Sequence, residues 1–142
     1  MGDKVPVQVN VWSQQRAKSG ERLTFRTEAE GTLYQKGESL YIAYREGEES
    51  GLGQTLTTLR IEGRHVTLIR QGETVMKQSL VKGEEQSGTY KTPHGTFELV
   101  TRTSHLVVNM SEKGGKLEAL YNLRLAGDKS RIELKVNVKP LP

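Results

Sequence analysis

Residue types able to cleave, oxidise or coordinate are sparse in this chain. It has no cysteine, which removes thiol nucleophiles, disulfides and thiolate zinc sites together. Its three histidines, His65, His94 and His105, form neither His-x-His nor His-Glu-x-x-His, the common spacings of a metal site. The only aspartates are Asp3 and Asp128, and no Gly-x-Ser-x-Gly elbow exists to raise a serine nucleophile. Glu28 and Glu30 share one strand face, where a solvated outer surface explains them more simply than a paired acid and base. Gly51-Leu52-Gly53 lacks the further glycine and the Lys-Ser/Thr pair of a phosphate loop, and no helix follows it. No catalytic residue, metal ligand or cofactor is expected. His94, fixed between Pro93 and Gly95 with Tyr90 nearby, is retained as a candidate ligand contact at a rim.

Recognition by shape and hydrogen bonding remains, and its best-motivated residues come from positions 53 to 70. If Gly63 and Arg64 make a two-residue turn, Ile61 pairs with Val66, Leu59 with Leu68 and Thr57 with Arg70. One face of this hairpin is then aliphatic at the turn and polar at the far end. With Leu59 and Ile61 inward, Thr55, Thr57 and Arg70 are inward too, and Tyr44, Gln78 and Tyr121 join them from other strands. Aliphatic walls with a few convergent polar groups are the ordinary form of a ligand pocket, and an arginine fork suits a carboxylate or phosphate. The expected ligand is a small amphipathic or anionic molecule. In the competing reading, Arg70 ends in water and side chains fill the interior.

The elements that must hold these residues are strands. Val5, Val7, Val9 and Val11 alternate with polar residues, as in a half-buried strand whose Pro6 lacks a donor. Ser13 to Glu21 reads as a loop or at most one helical turn, Arg22 to Gln35 as a strand with a bulge or bend at Gly31, and Leu40 to Tyr44 as the next strand. Glu46 to Gly53 reads as an acidic rim loop. A three-residue loop at 71–73 would pair Leu68 with Met76; Lys82 to Ser87 is a turn; and 96–110 is one bent strand or two. Turns are expected at Lys113-Gly114-Gly115-Lys116 and at Asp128-Lys129, the second placing Tyr121 opposite Val136.

Nine or ten short strands without a convincing amphipathic helix call for a single all-β domain over residues 1–142. The expected fold is a closed or nearly closed antiparallel up-and-down barrel of about eight to ten strands. Closure removes exposed strand edges, and the missing cysteine pair weakens an immunoglobulin-type sandwich.

The 142 residues contain no apolar run of membrane-spanning length. Residues 1–6 carry no apolar segment of signal-peptide length, and Pro6 occupies the Ser/Thr position of the myristoylation pattern, so a cytoplasmic location is expected. A net charge of +4 permits an acidic partner. The alternative function is accordingly a binding module whose outer surface takes RNA or a protein through residues such as Tyr41, Arg45, Arg60 and Arg124. Lys and Arg are spread along the whole chain, however, which in sequence gives no clustered footprint.

The segments Gly-Leu-Gly-Gln-Thr-Leu-Thr-Thr-Leu-Arg-Ile (51–61), Val-Thr-Leu-Ile-Arg-Gln-Gly (66–72), Gly-Thr-Tyr-Lys-Thr-Pro-His-Gly-Thr-Phe (88–97) and Tyr-Asn-Leu-Arg-Leu-Ala-Gly (121–127) resemble the YwiB-like family. These are small bacterial β-barrel proteins of unknown function, related in architecture to the lipocalin-like (calycin) barrels. The resemblance runs over nearly the whole chain and implies a cytosolic bacterial up-and-down barrel, with no catalytic residues to carry over. Ser13 to Glu21 is too short for the two-helix lid of the intracellular fatty-acid-binding branch.

Overall fold

A computed structural model describes residues 4–46 and 55–142. Ten antiparallel strands close into a barrel in which each strand pairs with its neighbours in sequence and the first pairs with the last. They are β1 (Val5–Ala17), β2 (Arg22–Lys36), β3 (Ser39–Glu46), β4 (Thr55–Glu62) and β5 (His65–Gly72), followed by β6 (Val75–Val81), β7 (Glu85–Thr92), β8 (Gly95–Ser111), β9 (Gly114–Leu125) and β10 (Asp128–Pro140). The closing seam sets Val9 opposite Val138 and Val11 opposite Val136. β-Branched side chains facing each other across a ladder stabilise such a pair by tenths of a kcal/mol up to about 1 kcal/mol.

Inward residues at one end are packed to near-complete burial, including Val7, Val9, Leu33, Ile42, Leu59, Val66, Leu80, Leu117 and Val138. The other end is uneven because the wall is. Strands β1, β2, β8, β9 and β10 have 12 to 17 residues, whereas β3 to β7 have 7 or 8. Leu23 and Phe25, on the inward parity of β2, lie beyond its pairing with β3, which begins at Gly31, and are 48% and 36% exposed. The barrel therefore has a filled half and an open half.

The central hairpin has the expected register: Ile61 opposite Val66, Leu59 opposite Leu68 and Thr57 opposite Arg70, with Gly63 at φ 58° in the turn. Elsewhere the structure corrects the expected connections. Ser13 to Ala17 is strand, with Ser13 opposite Leu134 and Phe25, and Gln15 opposite Ile132 and Leu23. Polar residues at these inward positions break the alternation because that part of the interior is open. Gly31 carries no bulge; its ladder with β1 is continuous, and a Cβ there would collide with the carbonyl oxygen of Ala43. Close approach of backbones, and no change of register, is the reason for that glycine. β8 is one strand, with a bulge between Thr103 and His105, and only residues 82–84 separate β6 from β7.

Two registers and one turn also move. β5 and β6 pair Leu68 with Gln78, two residues from the expected Met76. The β8–β9 turn is Glu112-Lys113, and Gly114 and Gly115 are the first residues of β9, with φ of 92° and 145°. The β9–β10 turn is Ala126-Gly127, with φ of 51° and 85°, so Tyr121 faces Ile132 where Val136 was expected. Positive φ at both central residues is the type I′ geometry whose twist suits a two-residue hairpin. The register changes at β5–β6 and β9–β10 are even in residue number, so every inward residue stays inward. Residues 47–54, which hold Gly51-Leu52-Gly53 and all but Glu46 of the expected rim loop, lie outside the described residues.

Candidate functional site

The open half of the interior encloses a cavity of about 270 Å³. Ser13 and Gln15 of β1, Phe25 and Thr27 of β2, and Leu123, Leu125 and Ile132 of the long wall line one side of it; Tyr44, Glu46, Arg70, Met76, Gln78 and Tyr121 are among the residues on the others. Phe97 stands at the same end, opposite Tyr90 in the β7–β8 ladder and 37% exposed.

A polar layer crosses the cavity. Arg70 Nε donates to Glu46 Oε2 at 3.1 Å, and Thr57 Oγ1 donates to the same oxygen at 2.7 Å. Arg70 Nη1 also lies 3.6 Å from Met76 Sδ. Glu46 is 4% exposed while the Arg70 side chain is 21% exposed, so the carboxylate is the deeper member and the guanidinium meets the cavity. Gln78 Nε2 donates to Thr101 Oγ1 at 2.9 Å. Burial raises the Tyr44 hydroxyl above its ordinary value, and the Glu46 charge adds to this, while Arg70 and a hydrogen bond with Thr57 oppose it. Burial likewise raises Tyr121, against Arg70 and a hydrogen bond with Gln78. Both phenols are therefore neutral near pH 7 and keep a proton to donate.

Of the residues expected at the site, Tyr44, Arg70, Gln78 and Tyr121 converge on the cavity. Thr57 is fully buried behind it and holds Glu46; Thr55 is fully buried opposite Glu46 in the β3–β4 ladder. His94 is not brought in. It sits exposed in the β7–β8 turn, where its backbone N–H donates to Thr92 Oγ1 at 3.1 Å. Glu46, expected in a solvated loop, ends β3 as the buried partner of Arg70. The period of two through Leu40, Ile42 and Tyr44 continues to Glu46 and is the signal that finds it. Among the described residues, no group of three or more His, Asp or Glu side chains is placed to hold a metal ion.

The outer residues named for a partner surface do not form one patch. Tyr34 and Tyr41 stack with ring centroids 5.0 Å apart, and Arg60 lies 5.9 Å from the Tyr41 centroid on the β2–β3–β4 face. Arg124 is on β9, among other cations.

Residues 9–136 match the Domain of unknown function DUF1934. The chain belongs to this family. It is 28% identical over 112 residues to the uncharacterised β-barrel protein YwiB of Bacillus subtilis strain 168, covering 79% of this chain and 76% of that protein. The crystal structure of the ywiB protein from Bacillus subtilis superposes with a TM-score of 0.80 at 23% identity, over 94% of this chain and 92% of that one. As a DUF1934 protein the chain shares the barrel of a YwiB-like fold, the family and architecture that its motifs imply.

Proposed function

We propose that this DUF1934 protein is a non-enzymatic cytoplasmic barrel that binds one small amphipathic molecule in the open half of its interior. The observation that carries the reading is the Arg70–Glu46 pair facing a cavity otherwise walled largely by Leu, Ile, Val and aromatic side chains. A buried ion pair stabilises a fold weakly at best against apolar residues of the same size. A ligand that needs its donors gives such a pair a use.

The cavity suits a small ligand. About 270 Å³ lies just below the lower end of the usual range for small-molecule sites, roughly 300–1,000 Å³. The polar end of the ligand meets Arg70, Gln78 and the Tyr121 hydroxyl, and its apolar end lies against Phe25, Leu125 and Ile132. Among the described residues, two of the five N–H donors of Arg70 are engaged, by Glu46 and Met76. Because Glu46 already matches the charge, Arg70 acts here as an oriented donor. A neutral or weakly acidic head group with an acceptor oxygen fits this better than a strongly hydrated anion.

The test is native mass spectrometry of the protein isolated from its own host, wild type beside Ile132→Trp and Arg70→Met. A small-molecule adduct in the wild type that is lost when Trp fills the cavity, and weakened when the Arg70 donors are removed, supports the reading. An adduct retained by both folded variants, or a wild type that carries none and takes up no 1-anilinonaphthalene-8-sulfonate, overturns it.

A further inference from the structure

The outer wall of the barrel holds a second concave surface, separate from the interior. Where β8, β9, β10 and β1 run side by side near the open end, a groove of about 620 Å³ is lined by Arg16, Lys18, Arg102, Arg124, Lys129 and Arg131. One carboxylate, Glu85, lines it as well, 3.9 Å from Arg124 with both side chains about half exposed. The groove thus carries a balance of +5 against +4 for the whole chain, which leaves −1 for everything else. Positive charge that looks dispersed along the sequence is gathered here by strand pairing.

That pairing sets like charges against each other. Arg16 is directly opposite Arg131 on one side and Arg22 on the other; Arg124 is opposite Lys129; and Asn122 lies between Arg102 and Arg131 in the same cross-strand row. Like charges directly opposite in a ladder destabilise it. Glu85–Arg124 is the one ion pair of the groove among the described residues. The stacked tyrosines of the β2–β3 face show the contrasting arrangement, in which Arg60 is paired to Glu62 at 3.1 Å.

From this row, in which Glu85 faces Arg102 at one end while Arg131, Arg16 and Arg22 run on with no carboxylate opposite them, the geometry points to a binding site for the phosphate backbone of single-stranded RNA. Arginine forks match phosphate oxygens in a bidentate way, and a groove that follows a charged backbone is the common device of single-strand binders. None of the large exposed apolar residues, Leu23, Phe25, Val75, Phe97 and Val107, lines the groove to enter a bilayer, which disfavours a membrane surface. The groove lining contains no aromatic residue, the commonest anchor of a protein interface beside arginine, and its aliphatic members are only Ala17, Val100 and Leu123. Without a stacking platform in the groove, recognition goes to phosphates and is independent of base sequence.

The experiment is fluorescence anisotropy of a labelled oligouridylate of about 20 nucleotides, longer than a typical single-strand site, titrated with the full chain at several salt concentrations. Four phosphate contacts predict a slope of log K against log salt of about −3, or roughly fifty-fold weaker binding between about 50 and 200 mM salt. The triple variant Arg16→Ser, Arg102→Ser and Arg131→Ser should bind at least about tenfold more weakly and reduce the slope by about 2. Lys36→Ser with Arg60→Ser, on β2 and β4 outside the groove, should leave both unchanged. Urea midpoints establish that each variant is folded, and Arg16→Lys with Arg131→Lys provides a second variant that keeps the charge without the fork. No binding at low salt, equal loss in the Lys36/Arg60 variant, or tighter association with phosphatidylserine vesicles or a polyglutamate peptide than with the oligonucleotide overturns the proposal. Failure of the cavity ligand would leave this site untouched, since the two share no charged residue.

Discussion

Inside the barrel, Arg70 lies 3.1 Å from a carboxylate that is 4% exposed and that also accepts a hydrogen bond from Thr57. On the outer wall, Arg16 faces Arg131 and Arg22, and the closest carboxylate contact in that groove is 3.9 Å, from Glu85 to Arg124. The two regions belong to the same sheet, since Gln15 lines the cavity while its neighbour Arg16 lines the groove. Alternation of strand side chains sends consecutive residues to opposite faces, so one stretch of β1 serves both. The contrast follows from solvation. A charge in the interior must be matched because water does not screen it, whereas outward charges can be left unmatched because water and salt do. Unmatched charge on a concave surface is therefore a feature the fold tolerates without needing it. Matched charge in a cavity is one that its own stability requires.

Four measurements can break or sharpen this contrast. Glu46→Ala should have the largest effect. It strips the counter-charge from Arg70 and an acceptor from Thr57, and losing one partner of a buried pair costs about 3–5 kcal/mol, reduced to ~3 kcal/mol here by the partial exposure of Arg70. A urea midpoint unchanged from wild type would show that the interior does not need the match.

Alkaline pH tests the same interior next. Burial holds the Tyr44 and Tyr121 hydroxyls above their ordinary range, so the unfolded chain releases these protons first. Their contribution is fully present below about pH 10 and is lost as pH rises through the folded values. Ultraviolet titration should show phenolate from these two tyrosines only as the barrel unfolds, and Tyr44→Phe with Tyr121→Phe should remove that part of the transition. Their ionisation in the folded state near pH 10 would contradict the burial.

For the outer wall the expected sign is opposite. Arg131→Ser relieves the like-charge contact with Arg16 and should raise stability by about 0.2–1 kcal/mol, an effect seen in the thermal midpoint at low salt and lost at high salt. Destabilisation at low salt would mean that the row is internally favourable. Smallest of all, Glu85→Ala removes the single ion pair of the groove, whose members are 53% and 52% exposed, and should change stability by less than ~0.5 kcal/mol. A loss near that of Glu46→Ala would erase the difference between the two regions.

Much of the interior is legible in the sequence because side-chain direction in a strand depends on parity alone. Alternation at Leu59, Ile61, Val66 and Leu68, with a glycine turn at Gly63, places Thr57 and Arg70 inside before any strand partner is known. The registers of β6 and β10 were expected wrongly, by even steps, and the inward set survived both errors. Ala126 hid a turn because an alanine at φ 51° has no compositional signal, and the Asp128-Lys129 pair beside it has a strong one. Ser13 and Gln15 hid part of β1 because a strand that lines an open cavity need not be apolar.

What parity cannot reach is which strands lie side by side and how far each extends past its neighbour. The unequal wall that opens one half of the barrel, the pairing of Glu46 with Arg70 across β3, β4 and β5, and the joining of Arg16, Arg102 and Arg131 into one row all depend on those alignments. Glu46 and Arg70 meet across two consecutive hairpins, and Arg102 and Arg131 across two more, whereas Arg16 reaches Arg131 only through closure of the sheet between β1 and β10, which no local pattern records. The sequence by itself determined an all-β chain, its strand faces and the polar residues that turn inward. The tertiary structure decided where charge is matched and where it is left over, because charges on different strands meet only once the strands are aligned and the barrel is closed.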